Sequence, residues 1–117
     1  MHDFRRLDVW RLARGLGADI YRETARTSRP ELRLITTQLR RSALSVASNI
    51  AEGCGKGSRA ETLRYFDIAA GSAAETEHHL LVASDLGILP RAKADALLVR
   101  VGSVRRMLYS LSKRLPK

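Results

Sequence analysis

Residues 91–115 read RAKADALLVRVGSVRRMLYSLSKRL. Ala94, Leu97, Val101, Val104, Leu108, Leu111 and Leu115 fall at alternating steps of three and four. That is the a/d spacing of a helix with one apolar seam. A single helix cannot bury such a seam against itself, so the chain must supply partner helices of similar length.

Reading backward supplies them. Gly87 through Pro90 breaks the pattern. Before it, Phe66, Ala69 (or Ala70), Ala73, Thr76, Leu80 and Ala83 share one helical face, and Leu86-Gly87 closes the segment. It starts with Ser58-Arg59-Ala60-Glu61, a capping box in which the Ser58 hydroxyl and the Glu61 carboxylate satisfy each other's backbone N–H groups. The cluster Gly53-Cys54-Gly55-Lys56-Gly57-Ser58 precedes it. A further segment, about Pro30 to Glu52, places Leu32, Ile35, Leu39, Ser42, Val46 and Ile50 (or Asn49) inward. Ser28 is its expected cap, Pro30 and Glu31 suit its first turn, and Gly53 its left-handed stop. The first segment, about Leu7 to Thr27, aligns Trp10, Ala13, Leu16 (or Gly17), Ile20 and Thr24.

No alternating strand pattern or tight hairpin turn intervenes. Short links between long helices force antiparallel neighbours. The expected fold is therefore all-α, an antiparallel up-down-up-down four-helix bundle occupying residues 1–117 as one domain. Small residues crowd the second helix (Ser42, Ala43, Ser45, Ala47, Ser48) and the third (Ala69 to Ala74). The closest helix contact is expected there, with larger side chains of the first and fourth helices completing the core.

Composition narrows the function. The chain has 117 residues, 44% of them hydrophobic, enough for one self-sufficient core. A two-domain enzyme with a separate cofactor module is excluded. Cys54 is the only cysteine, which excludes an internal disulfide and a Cys-rich zinc site. No apolar run approaches the roughly 18 residues of a membrane span. Met1 to Arg6 lacks the apolar stretch of a secretory signal, so a soluble cytoplasmic protein is expected.

The formal charge is +9. It is unevenly spread: residues 88–117 carry eight basic groups and one acidic, residues 58–87 two basic and five acidic. Arg100, Arg105, Arg106, Lys113, Arg114 and Lys117 cannot all be neutralised within one chain. Either an acidic face meets a basic face between subunits, or the basic surface binds a phosphate backbone and releases counterions. Of the rings Phe4, Trp10, Tyr21, Tyr65, Phe66 and Tyr109, several fall on expected core faces. No exposed stacking platform interleaved with positive charge is expected, so binding would rest on charge and shape.

Candidate chemical sites are sparse. The 53–58 cluster fails the phosphate-loop spacing, since Gly57 separates Lys56 from Ser58. Lys56 and Arg59 beside the first amides of the third helix could hold one phosphate. Glu75-Thr76-Glu77-His78, followed by His79, is one Glu-x-x-His where a di-iron bundle needs two. No metal site, cofactor or catalytic residue is expected. Cys54, in a glycine loop, is open to oxidation but has no catalytic partner in sequence. Arg40, Arg41, Ser45, Asn49 and Glu52 lie close to the inward stripe of the second helix, with Glu75 of the third as an expected partner for Arg40 or Arg41. They are expected to form a buried polar network fixing register or an interface.

Phe4-Arg5-Arg6-Leu7-Asp8-Val9-Trp10 with Ala13 resembles the opening of a bacterial four-helix-bundle family. Its members are the proteins of 23S ribosomal RNA intervening sequences and their free-standing relatives. Gln38 to Gly53 (QLRRSALSVASNIAEG) is similar to that family's central motif, and Phe66, Ile68 to Ser72 and Glu75 to its third-helix motif. Ser42, Leu44 and the loop after Gly53 depart from it. The resemblance implies a ring of identical subunits, a homopentamer, and a likeness to the accessory protein of diversity-generating retroelements, which binds a reverse transcriptase and nucleic acid. It implies no catalytic residue.

The reading that follows is a non-enzymatic oligomeric adaptor contacting RNA or DNA through Arg100, Arg105, Arg106, Lys113 and Arg114, with Arg11 and Arg14 contributing. The alternative is a scaffold whose charges serve self-assembly or a polymerase partner.

Overall fold

The aliphatic seam of residues 91–115 forms the inward face of the last of four long helices in the computed structural model of the chain, which describes residues 3–25 and 29–116. The helices are α1 (Asp8–Thr24), α2 (Arg33–Cys54), α3 (Arg59–Asp85) and α4 (Arg91–Arg114). Short 3-10 turns at Phe4–Arg6 and Pro30–Leu32 lead into α1 and α2. The described residues contain no strand.

Each helix packs on its two neighbours in the cycle α1–α2–α3–α4, and diagonal helices do not pack. Cross-helix contacts run in opposite register. Asp19 and Glu23 of α1 meet Arg100 and Lys93 of α4, and Ser42 and Ser45 of α2 meet Thr76 and Ser72 of α3. Neighbours are therefore antiparallel, and the fold is the expected all-α bundle, a rod of 48 × 22 × 19 Å.

The core follows the stripes closely. In α4, Ala94, Leu97, Val101, Val104 and Leu108 are buried, as is Leu115 just beyond it. In α3, Phe66, Ala69, Ala73, Thr76, Leu80 and Ala83 are buried. The α2–α3 contact is the most extensive, as small side chains allow. Leu16 and Ile20 of α1 fill the space beside it.

Three local expectations need correction. Val9, not Trp10, is the buried residue in the first turn of α1. Trp10 is half-buried because Phe4 packs edge-on against it from the 3-10 turn, with ring centroids 4.9 Å apart. In α2, Thr36 is buried while Ile35 is half-buried. Gly53 does not stop α2 in a left-handed turn; it lies inside the last helical turn. A Cβ there would come within 3.0 Å of the Phe66 ring and 3.1 Å of Tyr65 Cβ, so glycine serves close approach. The left-handed glycine is Gly87, at φ 73°, where α3 ends.

Only half of the capping box forms. Ser58 Oγ accepts from the Glu61 N–H at 3.2 Å, while the Glu61 carboxylate turns to Arg64. Ser28, the expected cap of α2, lies outside the described residues.

Candidate nucleic-acid interface

The cations of α4 divide by the helix face that carries them. Arg100 faces α1, where its Nη1 donates to Asp19 Oδ2 at 2.8 Å. Arg22 donates to the other oxygen at 2.6 Å. The Arg100 hydrogen bond is the main reason the Asp19 carboxyl is held below the usual carboxylate range. Lys93 reaches Glu23 at 2.7 Å on the same seam. Arg105 faces α3 and donates to Glu77 at 3.0 Å. Arg100 and Arg105 thus tie α4 to its neighbours through partly exposed ion pairs, and Arg105 also lines the groove between α3 and α4.

Arg106, Lys113 and Arg114 have no carboxylate partner among the described residues. Arg106 donates to Ser103 Oγ at 3.3 Å. The Lys113 ammonium lies 4.7 Å from the centre of the Tyr109 ring. Arg106 and Lys113, one heptad apart, open onto a groove of about 820 Å³ between α3 and α4. Its floor includes Phe66, Ala70 and Leu108, and Arg59, from the first turn of α3, lines it too. Asp67 and Glu77 are its acidic members, and Glu77 is already engaged by Arg105. Arg114 instead borders a separate cleft between the start of α1 and the end of α4, with Arg6 and Asp8.

Arg11 and Arg14 are not part of this groove. Arg11 bonds Asp8 and the Arg5 carbonyl, each at 3.0 Å, and Arg14 lies over the Trp10 ring at 5.3 Å.

The aromatic residues overturn one expectation. Phe66 is buried, but Tyr109 is 66% exposed and Tyr21 51% exposed. Tyr21, Tyr65 and Tyr109 each sit under a cation: Arg40 over Tyr21 at 3.8 Å, Lys56 and Arg64 over Tyr65 at 4.9 and 4.6 Å, Lys113 over Tyr109. Rings interleaved with positive charge are therefore on the surface. The signal was in the register: Tyr109 follows the seam residue Leu108 and so points about 100° away from the core.

The polar network expected on α2 is rearranged. Thr76 Oγ1 bonds Ser42 Oγ at 3.0 Å, Ser45 and Ser72 hydroxyls meet at 2.9 Å, and Asn49 Nδ2 donates to Ser45 Oγ at 2.9 Å. Arg40 turns to α1, donating to Thr24 Oγ1 at 2.7 Å and the Tyr21 carbonyl at 3.1 Å. Glu75 lies 3.7 Å from His79 on its own helix and pairs with neither arginine. Arg41 and Glu52 are exposed. Long charged side chains reach water from the flanks of the stripe, whereas short hydroxyls stay between the helices.

Cys54 is buried in the last turn of α2, which corrects its expected exposure; burial pushes its thiol pKa up. Among the described residues no group of three or more His, Cys, Asp and Glu is arranged to hold a metal. No described helix is long and apolar enough to cross a membrane.

Comparison with known proteins now adds to the geometry. The model of the family described as 23S rRNA-intervening sequence protein matches residues 5–110. No curated protein matches. A crystal structure of a protein of unknown function from the S23 ribosomal protein family of Bacteroides thetaiotaomicron VPI-5482 is similar in fold. It superposes with a TM-score of 0.81 at 22% identity, covering 90% of this chain and 98% of that one.

Proposed function

This chain belongs to the 23S rRNA-intervening sequence protein family, and from that premise we propose that it is a non-enzymatic, oligomeric adaptor that binds RNA or DNA in the cytoplasm. The observation that carries the reading is the pair Arg106 and Lys113. Both cations face the groove between α3 and α4 without a carboxylate partner among the described residues. Arg59 adds a third charge and Tyr109 an exposed ring beside them. Phosphates neutralised there would release condensed counterions, a favourable term that does not depend on sequence. The family's name, which points to 23S rRNA, makes structured RNA the first ligand to try.

Self-assembly is part of the proposal. Acidic α3 and basic α4 suit contacts between identical subunits, and a ring, such as a homopentamer, closes such heterologous contacts. Leu44 (51%), Leu81 (51%) and Val99 (68%) are exposed aliphatics that subunit contacts would cover. A second reading, a scaffold for a polymerase-type protein, is favoured by the apolar floor of the groove.

Fluorescence anisotropy with a structured 23S rRNA fragment, across a salt series and alongside native mass measurement, tests these readings. Affinity should fall steeply with salt, with a log–log slope near −0.9 for each duplex phosphate neutralised. Arg106→Glu with Lys113→Glu should abolish binding. Absence of binding at low salt to both RNA and DNA would sink the nucleic-acid reading and leave the scaffold.

A further inference from the structure

At the other end of the bundle from Lys113, a polar cleft of about 310 Å³ opens between the end of α1 and the start of α2. Thr24, Arg29, Arg33, Thr36, Thr37 and Arg40 line it. Arg33, Thr36, Thr37 and Arg40 stand at steps of three and four and so share one face of α2. No carboxylate lines the cleft among the described residues. Arg29 donates to Glu31 at 2.9 Å outside it, while Arg33 has no acceptor among the described residues. Arg40 is held in place: Nε bonds Thr24 Oγ1, Nη2 bonds the Tyr21 carbonyl, and the guanidinium stacks on the Tyr21 ring.

Thr36 adds an independent observation. Thr36 is 8% exposed, and among the described residues its Oγ1 is the buried side-chain polar atom that has no hydrogen-bond partner. Buried threonines elsewhere in the bundle are satisfied. Thr24 donates to the Ile20 carbonyl at 2.8 Å, Thr76 to the Ser72 carbonyl at 2.8 Å and Thr62 to the Gly53 carbonyl at 2.9 Å. An orphaned buried hydroxyl is costly unless a ligand completes it. Thr36 shares the lining of the cleft with Arg33 and Arg40.

We propose that this cleft binds a tetrahedral oxyanion of the phosphate class, with Arg33 and Arg40 neutralising its charge and the Thr36 hydroxyl donating to one of its oxygens. Planar guanidinium groups match phosphate oxygens in pairs, and a hydroxyl donor sharpens the preference for an oxygen acceptor over a halide. The site is separate from the α3–α4 groove and stands or falls independently of it. Its ligand is either a free phosphate ion or the phosphate monoester at the end of a nucleic-acid strand.

Titration calorimetry on the full chain in a phosphate-free buffer tests the proposal. Inorganic phosphate should bind saturably, and chloride at equal ionic strength should not. Thr36→Val keeps the side-chain shape and removes only the hydroxyl; it should weaken phosphate binding about tenfold, the usual loss for one hydrogen bond to a charged group. Arg33→Gln, on an exposed side chain, should weaken it to a similar degree while leaving the helical circular dichroism unchanged. A dinucleotide with a 5′-phosphate, compared with its 5′-hydroxyl counterpart and with inorganic phosphate, identifies the source. Tighter binding of the phosphorylated strand assigns a strand end, and equal binding of phosphate assigns the free ion. Phosphate binding that is no stronger than chloride, or that Thr36→Val leaves unchanged, overturns the proposal.

Discussion

Arg100 of α4 donates to Asp19 of α1 at 2.8 Å, and this bond removes from the proposed nucleic-acid surface an arginine that lies in the most basic quarter of the chain. Arg100 and Arg106 look alike in sequence but should fail differently. Arg100→Ala should cost about 0.5–1 kcal/mol of stability, the range for a partly exposed ion pair, with little change in RNA affinity. Arg106→Ala should leave the melting temperature nearly unchanged and weaken RNA binding, with the salt slope reduced by about one phosphate. Thermal melts and anisotropy on the two variants decide it. The reverse pattern would mean that the interface is drawn on the wrong face of α4.

The same bond sets an acid dependence. Asp19 has a folded-state pKa below its ordinary value of 3.8, mainly because Arg100 hydrogen-bonds the charged form. A carboxyl depressed on folding contributes stability that is fully present above its unfolded pKa and is lost as pH falls through the folded one. Asp19→Asn should therefore be less stable than the unaltered chain at pH 7, and the gap should begin to narrow as pH falls below about 4. Urea midpoints measured at pH 7 and pH 3 give the comparison. A gap as wide at pH 3 as at pH 7 would show that the loss is one of packing.

Glycines in α2, α3 and the following turn should respond with opposite signs. Gly71 faces open space in the middle of α3, so Gly71→Ala should stabilise by about 1 kcal/mol, the ordinary helix preference. At Gly53 the added methyl would meet the Phe66 ring at 3.0 Å, and overpacking of about 1–3 kcal/mol should outweigh that gain. Gly87→Ala should destabilise by about 1–2 kcal/mol because φ is 73° there, with no clash involved. Chemical denaturation of the three variants separates propensity, contact and backbone conformation.

These contrasts show what could be read from the chain alone. The α4 seam was legible because branched aliphatic residues repeat without interruption and short links leave only antiparallel neighbours. Val9 against Trp10, and Thr36 against Ile35, were not legible. Neighbouring positions differ by about 100° around a helix, and which one faces inward depends on how the partner helix is rotated. The cations were legible as a total and illegible as individuals. Arg105 differs from Arg106 because Glu77 happens to stand opposite one of them. The cleft of Arg33, Thr36 and Arg40 had a visible helical period on α2, but its meaning depends on Thr24 of α1 and on a missing hydrogen bond, which no linear pattern displays.

The contact between α2 and α3 supplies the last test. Thr76 Oγ1 lies 3.0 Å from Ser42 Oγ and 2.8 Å from the Ser72 carbonyl, fully buried among small side chains. Thr76→Val should cost about 1–2 kcal/mol, since it strips a buried acceptor of its partner. Ser42→Ala should cost less, because Thr76 keeps the Ser72 carbonyl. If the bond between the two hydroxyls fixes the register of α2 on α3, the double variant should be little worse than Thr76→Val. That leaves a coupling of about 0.5–1.5 kcal/mol in a double-mutant cycle. Additive losses would place register selection in the close approach of Gly53 to Phe66 and leave the hydroxyls as mere filling, so the cycle separates the two devices that hold the tightest seam of the bundle.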